Sequence, residues 1–441
     1  MLNTIGLRYC GDDELGRIAQ RQRGDLSAYC AEPWNQSPVD YQLSPGNSPE
    51  DVEKDWKTWE RLETRRRVGY SIWLLDCMWA FHTDCRPLLS LRDATVPLPC
   101  QEILWEAESA VVWRQLFELA ISEINLTARV KFTDLVKIAS PSLLAAIQSL
   151  YIEKRLNWTL GECSRILLVH ALFQRTWEVE NYLSQPLSQW TPTAKKQEVP
   201  SRQEEPWLPG IPLYTKWRNS ACDSLDVLHW AANAVIGVNS GMEHPTVLHL
   251  HVSRIILLTP FRSIRRLASS MAGLGPSMNE EQIKQDKLQV ERWAEYDQYK
   301  ARLAIVHAGI LFWHVRHYST NGFYESHALL LATLALWAYG TFSPSQSNIG
   351  AEDELEVDFD SLCPSSINLD RPADDEIVQL FVRRGSQMKA LITGVGDLCS
   401  SRGPEKVLNI GSKLISRLPN WGCARRHFAL VKKLAALIKQ S

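Results

Sequence analysis

Apolar side chains recur every three or four positions along most of the chain after residue 55. In the stretch ERLETRRRVGYSIWLLDCMWAFH, Val68, Ile72, Leu75 and Trp79 follow one another at steps of four, three and four. That spacing predicts a helix with one apolar face, and it predicts that this face packs inward. The alternating pattern that is typical of strands is nearly absent.

Helical spacing predicts further helices at 101–124, 131–152, 160–183, 221–240, 245–270, 281–318, 325–341, 375–396, 403–418 and 422–439. The predicted fold is therefore all-α. It comprises a partial N-terminal helix and connector at 1–55, followed by one large irregular helical domain over 56–441. We find no internal repeat of fixed period, which argues against a regular helical solenoid.

Two long polar stretches interrupt the helical pattern. The first, 185–212, contains six prolines, and the second, 343–376, contains ten acidic residues and one arginine. Both are predicted to be mobile insertions on the surface, since neither has the apolar content to order itself. In the second, the acids alternate with Leu355, Val357, Phe359 and Leu362, a pattern typical of disordered activation segments. A solvated loop is the alternative.

The charge balance argues against a self-contained basic DNA binder. The chain has 48 basic and 50 acidic residues, so its formal net charge is -2. Arg65–Arg67 and the group Arg262, Arg265 and Arg266 are short clusters, which we expect to be solvated or paired with acids. Arg67 has Glu63 four positions earlier. The 17 tryptophans predict an aromatic core, and a small-molecule cavity lined by these rings is the alternative.

The sequence lacks the common catalytic signatures HExxH, GxSxG and GxxxxGK[ST]. The glycine pair Gly394 and Gly396 follows a helical pattern, which favours a helix C-cap over a phosphate loop. We therefore predict no catalytic residues, and the chain is not expected to be an enzyme.

Metal-ligating residue types also lack a convincing pattern. The ten cysteines include no CxxC pair, and Cys77 and His82 point to different faces of a helix, with Cys85 nearby. His249, His251 and the histidines of the long helix are expected to be core or interface residues. We keep four residues as a candidate pocket or interface: His307, Trp313, His314 and His317. No metal ligand or cofactor-binding residue is predicted.

One block, from Arg65 to Ala107, has a distinctive order of residues. An aromatic-Leu-Leu-Asp core at Trp73–Asp76 is followed by Arg86-Pro87, then Leu89-Ser90-Leu91 with Asp93, and then Val96-Pro97-Leu98-Pro99. This block resembles the fungal-specific transcription factor domain, also called the middle homology region. Residues 297–340 and the closing segment LPNWGCARRHFALVKKLAAL resemble members that carry two-cysteine two-histidine zinc fingers before the domain. The motif residues to be placed in the structure are Trp73, Leu75, Asp76, Arg86, Pro87, Asp93, Pro97 and Pro99.

The resemblance implies a helical regulatory domain of a nuclear transcription factor that acts on RNA polymerase II genes. In such proteins a zinc-finger module reads DNA, and this chain shows no finger ligands at metal spacing, so we expect that module to be absent from it. Zinc is then expected only with such an upstream module, and DNA contact only weakly or indirectly. The expected partners are the transcription machinery or a co-regulator, with no membrane and an unidentified effector.

Two other functions and one structural hypothesis complete these expectations. The chain could instead be a helical ligand-binding protein or enzyme with an aromatic pocket around 291–317, or a finger-less scaffold or cofactor. In the motif block, we hypothesise that Asp76 and Arg86 pair and fix the Val-Pro-Leu-Pro segment over the helix.

Overall fold

The computed structural model describes residues 48–83, 87–125, 141–156, 160–184, 212–238, 245–274, 279–343, 365–419, 421 and 423–439. This part of the chain contains fourteen α-helices, one 3-10 turn and three short strands. The predicted all-α fold is confirmed. Among the described residues, no helix combines the length and the apolar character that crossing a bilayer requires.

The sequence predicts one helical domain over 56–441, and the contacts of the described residues divide it into two compact units. The first unit contains the described residues up to Val179 together with those from Asn219 to 238. Its helices are α1 (Pro49–Thr83), α2 (Glu102–Trp105), α3 (Ala110–Asn125), α4 (Leu143–Glu153), most of α5 (Glu162–Ser184) and the second part of α6 (Pro212–Val238).

Tryptophans form a core cluster in the first unit. Trp59 of α1 and Trp113 of α3 are buried together, with ring centroids 5.4 Å apart, and Leu104 of α2 completes the contact. Trp56 and Trp105 pack against this cluster. The prediction that tryptophans belong to a helical core is confirmed for these rings, because large flat side chains bury much area when covered.

The buried face of α1 differs from the predicted one. Ile72 is buried, but Val68 and Leu75 are only partly covered, and the side chain of Trp79 lies outside the described residues. The buried stripe includes the polar residues Glu63, Tyr70 and Asp76 beside Trp59, Trp73 and Cys77. The spacing of apolar residues did not predict this stripe, because its polar members are buried while they form hydrogen bonds with another segment of the chain.

The second unit surrounds α11 (Glu325–Phe342), whose residues from Glu325 to Tyr339 are all buried. A helix that is apolar all round requires neighbours on every side. Those neighbours are α7 (Pro245–Leu258), α8 (Phe261–Met271), α9 (Glu280–Tyr296), α10 (Gln298–Tyr318), α13 (Gly403–Arg417) and α14 (Ala424–Ile438).

Two long helices predicted from the sequence are each divided in the structure. The predicted helix 245–270 breaks before α8 at Pro260, which has no N–H to donate to the preceding turn. The predicted helix 281–318 breaks at Asp297, whose φ of -102° and ψ of 37° are not helical. The carboxylate of Asp297 pairs with the buried Arg218 guanidinium at 2.9 Å.

A small sheet replaces the end of another predicted helix. The helix predicted over 375–396 ends at α12 (Asp375–Arg384), and a three-stranded sheet is formed by β1 (Ser366–Asn368), β2 (Lys389–Ile392) and β3 (Gly396–Asp397). β1 pairs with β2 in parallel and β2 with β3 antiparallel. The predicted C-cap is wrong, since Gly394, with a φ of 83°, lies in the turn between β2 and β3, and Gly396, with a φ of 84°, begins β3.

Part of the second predicted insertion is also ordered. Residues 365–376 belong to the described chain, and Ile367, Leu369 and Asp370 are buried. Thr393 donates its main-chain N–H to Asp370, which also pairs with Arg316 of α10. Residues 365–376 therefore do not belong to a mobile insertion. Asp370, which a count of acids treats as solvated, is buried and paired with Arg316. The remainder, 344–364, and residues 185–211 lie outside the described residues.

Candidate functional site

An extended connector, residues 87–100, lies along α1 and is held there by side chains of that helix. The Asp76 carboxylate accepts the main-chain N–H groups of Leu88 and Leu89, at 2.8 and 2.9 Å. The indole N–H of Trp73 donates to the carbonyl of Ser90 at 3.3 Å. Each bond goes to the main chain of the connector, so α1 fixes the path of this segment whatever side chains it carries.

The same helix holds the far end of the connector. The Tyr70 hydroxyl donates to the carbonyl of Val96 at 2.6 Å, and the Glu63 carboxylate accepts the N–H of Cys100 at 2.9 Å. Positions 63, 70, 73 and 76 follow one another at steps of seven, three and three, so each lies beside the next on the helix surface. Successive side chains of α1 therefore supply hydrogen bonds along the whole connector.

Glu63 is almost fully buried and carries a charge network. Arg66 and Arg67 donate to its two carboxylate oxygens at 2.7 and 3.0 Å, which confirms the pair expected between Glu63 and Arg67. Arg67 also donates to the carbonyl of Cys100 at 3.0 Å. These donors compensate the cost of burying a carboxylate. Part of the Arg65–Arg67 cluster is therefore structural.

Other elements of the first unit hold the opposite side of the connector. Gln174 of α5 donates to the carbonyl of Leu89 at 2.7 Å, and Ser164 donates to the carbonyl of Pro99 at 2.9 Å. The N–H of Leu98 donates to the carbonyl of Pro141 at 2.8 Å. The connector is thus hydrogen-bonded on both sides, and Leu89, Ala94 and Leu98–Cys100 are buried.

Glu102 directly follows the connector and caps α5. Its two carboxylate oxygens accept the N–H groups of Glu162 and Cys163, at 2.6 and 3.0 Å. A carboxylate at a helix N-terminus satisfies free donors and complements the helix dipole. Gly161 precedes this helix, and a Cβ at that position would lie 2.3 Å from a Glu102 oxygen.

Burial suppresses the acidity of the thiols at this junction. It raises the pKa of Cys163 to about 11, with the nearby Arg67 charge opposing the shift. Burial also raises the pKa of Cys100 above its usual range, and the Glu63 charge adds to that effect. Both thiols therefore stay protonated near neutral pH, which argues against a nucleophilic role.

The remaining motif residues differ in their surroundings. Pro99 is buried and Leu75, Pro87 and Pro97 are partly covered. Asp93 is exposed and accepts the N–H of Ser90 at 2.7 Å, closing a local turn. Arg86 lies outside the described residues, so its proposed pair with Asp76 remains a hypothesis.

The four residues predicted as a pocket or interface occupy two faces of α10. His307 and His314 are seven positions apart and face α7, where His307 Nδ1 lies 2.9 Å from His251 Nδ1. Trp313 and His317 are four positions apart on another face, with ring centroids separated by 5.0 Å. The structure therefore does not bring all four together.

A chain of buried rings continues from α7 through α11 to α14. The His249 ring stacks on Tyr324 with centroids 4.8 Å apart, Tyr324 is followed by His327 at 6.0 Å, and His327 by His427 at 5.7 Å. Burial lowers the pKa of His249 to about 3, and the nearby His314 contributes to the shift. His249 is therefore neutral in the folded protein.

These rings do not form a metal centre. Within the described ranges, no group of three or more His, Cys, Asp or Glu side chains is arranged to hold a metal ion. The resemblance associates zinc with finger modules, and the described residues offer no site that fits it. The geometry of the histidines fits packing and hydrogen bonding.

Comparison with known proteins gives the same family as the motif block. Residues 38–207 match the model of the fungal specific transcription factor domain. This match covers 170 of the 441 residues, and over this part the chain is similar to that family. The match includes the motif-bearing helix α1 and the whole connector, so the resemblance drawn from these residues is confirmed.

Curated relatives of this domain are also named as transcription factors. A transcription factor of Gibberella fujikuroi is 21% identical over 427 residues, which is 97% of this chain and 47% of that protein. A transcription factor of Zymoseptoria tritici is 30% identical over 118 residues, 27% of this chain and 12% of that protein. The zinc finger protein klf1 of Schizosaccharomyces pombe is 29% identical over 65 residues, 15% of this chain and 8% of that protein.

The chain spans about half the length of the Gibberella relative and smaller shares of the other two. No solved structure matches it. The fungal specific transcription factor domain is a regulatory class and not an enzyme class, and its relatives indicate transcription regulation.

Sequence reasoning missed several residues that build this domain. Glu63 and Gln174 hold the connector, and Glu102 caps α5, but their partners are 37, 85 and 60 positions away. No local pattern signals such long-range bonds to the main chain. The one available signal was the polar interruption of an otherwise apolar face at positions 63 and 76.

Proposed function

We propose that this chain is the regulatory region of a nuclear transcription factor acting on RNA polymerase II genes, and that it works through protein contacts. One observation carries the proposal. The residues that match the family model, 38–207, include the connector 87–100, which hydrogen bonds hold on both sides. In this proposal the motif residues Trp73 and Asp76 hold the connector on α1, and the partners bind exposed surfaces of the chain.

We assign sequence-specific DNA reading to a zinc-finger module that is not found among these 441 residues. The name of the fission yeast relative, a zinc finger protein, supports this assignment by analogy. In this proposal zinc belongs to that module, and the chain itself contributes regulation. Its partners are the transcription machinery or a co-regulator.

A fusion experiment tests the proposal. The full chain is joined to a heterologous DNA-binding module and expressed in a fungal host with a reporter gene carrying that module's sites. We expect reporter output to change at least several-fold relative to the module alone, with the fusion located in the nucleus. A stable, nuclear fusion that leaves the reporter unchanged would contradict the proposal.

Within the same assay, we propose that 344–364 contributes activation through its alternating acids and apolar residues. Changing Leu355, Val357, Phe359 and Leu362 to serine should reduce the reporter signal. The matched control exchanges these residues among themselves, as Leu355→Val, Val357→Leu, Phe359→Leu and Leu362→Phe. Because the control keeps the apolar content, it should retain the signal. Equal output from both variants would assign the segment to a solvated loop.

A further inference from the structure

Basic charge is concentrated at the C-terminal end of the chain. After Glu405 the sequence contains no Asp or Glu, while the whole chain has a formal net charge of -2. The charged residues of this stretch are Lys406, Lys413, Arg417, Arg425, Arg426, Lys432, Lys433 and Lys439. The near-neutral total therefore conceals a segregated charge of +8 in the last 36 residues.

The fold brings these charges onto one pair of helices. α13 and α14 pack against each other, and both pack on the buried helix α11. Their apolar sides are covered by these contacts, through Val407, Leu414, Leu430 and Leu434. All eight basic residues are exposed. The outer sides of both helices are therefore positively charged.

The charges on α14 are regularly spaced. Arg425, Lys432 and Lys439 follow at intervals of seven residues, with Arg426 and Lys433 beside them. Seven residues are two helical turns, or about 10.5 Å, so these side chains form a stripe along one side. On α13, Lys406 and Lys413 have the same interval. Evenly repeated positive charge matches a polymer with evenly repeated negative charge.

Little of this charge is neutralised within the protein. In the part of the chain that the structure describes, Arg425, Lys432, Lys433 and Lys413 have no ion pair with a carboxylate. Glu405, the last acid in the sequence, pairs with Arg402 at 3.5 Å. Lys432 lies over the Phe428 ring, with Nζ 5.3 Å from its centroid, and keeps its charge exposed.

We infer that the outer faces of α13 and α14 bind the phosphate backbone of duplex DNA without reading its sequence. A stripe of Lys and Arg along a helix is the electrostatic footprint of a nucleic-acid surface. Lysine provides five of the eight charges and is depleted at protein interfaces, which disfavours an acidic protein partner.

The residues between the charges favour duplex over single-stranded DNA. Single-strand sites add exposed aromatic rings on which bases stack. Along the outward side of α14 the exposed positions between the charges are Ala436 and Leu437, which have no ring, and the partly buried Phe428 ring lies under Lys432. Backbone contact by charge alone suits a duplex, whose phosphates are regularly arranged.

This contact goes beyond the proposed function, and its test needs no transcription readout. The full chain is titrated onto a fluorescent 30-base-pair duplex of arbitrary sequence, in a salt series starting at 50 mM. The test variant changes Arg425, Lys432, Lys433 and Lys439 to glutamine, which preserves helix propensity. The matched control changes Lys54, Lys57, Lys284 and Lys287 to glutamine; these are exposed and lie among acids, as shown by Lys57 with Glu53 and Lys287 with Glu291.

We expect the unchanged chain and the control to bind with the same strong salt dependence. The test variant should bind at least tenfold more weakly, and its slope of log affinity against log salt should be smaller by about 3.6, since each of the four lost phosphate contacts contributes about 0.9. Circular dichroism verifies that both variants keep their helices. A sequence change in the duplex should leave the affinity unchanged.

Three outcomes would overturn the inference. The test variant and the control could lose affinity equally, which would indicate that binding depends on the total charge of the chain and not on the faces of α13 and α14. A single strand of the same length could bind more tightly than the duplex. Poly-glutamate could bind through these residues while the duplex does not, which would assign the surface to an acidic protein.

Discussion

The Glu63 carboxylate accepts the main-chain N–H of Cys100 at 2.9 Å, across 37 positions of sequence. Through this bond and its two arginine partners, a single buried acid joins helix α1 to the end of the connector. The domain's most distinctive sequence block is therefore held at one end by a residue outside the motif.

Removing this acid should destabilise the first unit strongly. Glu63→Ala leaves the N–H of Cys100 without its acceptor and two guanidinium groups without their carboxylate, at a cost of about 3–5 kcal/mol in the free energy of unfolding. Urea unfolding followed by tryptophan fluorescence measures the loss. Glu60→Ala, an exposed glutamate one turn earlier, should change stability by less than about 0.5 kcal/mol. Equal behaviour of the two variants would refute this role for Glu63.

Asp76 should matter through main-chain bonds. Asp76→Ala removes the acceptor for two N–H groups, those of Leu88 and Leu89, and should cost about 2–4 kcal/mol. Asp76→Asn retains one side-chain oxygen and should lose less. The control is Asp374→Ala, at an exposed aspartate with no side-chain cap bond. If the Asp76→Ala variant unfolds at the same urea concentration as the unchanged protein, Asp76 does not stabilise the domain through the connector.

The junction between Glu102 and α5 should be sensitive to a single methyl group. In Gly161→Ala the new Cβ would meet a Glu102 oxygen at 2.3 Å and the Gln101 Cα at 2.9 Å. We expect a loss of about 1–3 kcal/mol, since the main chain itself must shift. Glu102→Ala removes the cap and should cost about 1 kcal/mol. In the double variant Gly161→Ala, Glu102→Ala, the Cβ at position 161 still meets the Gln101 Cα. We therefore expect its melting temperature to be no higher than that of Gly161→Ala alone, as measured by thermal unfolding.

His249 should make the stability of the second unit depend on pH. Burial lowers its pKa to about 3, whereas a histidine in the unfolded chain has a pKa near 6.5. The unfolded state therefore binds more protons between these values. The stabilising contribution is complete above pH 6.5 and declines as the pH falls toward 3, by about 1 kcal/mol between pH 7 and 5.5.

The variant His249→Phe separates this contribution from those of other histidines. It keeps a ring against Tyr324 and removes the proton-binding group, so the melting temperature should fall less steeply between pH 7 and 5.5. His317→Phe, at an exposed position, should retain the original pH dependence. A slope that is unchanged in His249→Phe would show that this residue does not titrate as described.

Local patterns predicted the helices well where a helix has one continuous apolar stripe, as at 403–418 and 422–439, where α13 and α14 lie within two residues of the predicted bounds. They failed at Pro260 and Asp297 because apolar spacing continues across a break in the main chain. The strands β1 to β3, of three, four and two residues, are too short to show alternation.

The family that the candidate site resembles was predictable from the sequence, but the hydrogen bonds that build the site were not. The order of Trp73, Asp76 and the proline-rich exit indicated the family, but it did not indicate the main-chain partners of Asp76, and the expected pair with Arg86 stays a prediction. In the structure Asp76 accepts the main-chain N–H groups of Leu88 and Leu89, and since every residue type except proline carries such a group, sequence patterns do not mark it. Ring contacts such as His327 with His427 join helices 100 positions apart and likewise have no local signal.

The two ends of the segment 344–364 are fixed to the same small sheet region. The Ser343 hydroxyl lies 3.4 Å from Cys399 Sγ, and the carbonyl of Ser365 accepts the N–H of Lys389 at 2.9 Å. Arg316 and Asp370, on either side of the segment, form an ion pair. The gene could therefore be split between codons 344 and 364, and the two polypeptides, co-expressed, should complement each other as a non-covalent pair. Such a pair would allow each half of the chain to be labelled or exchanged independently.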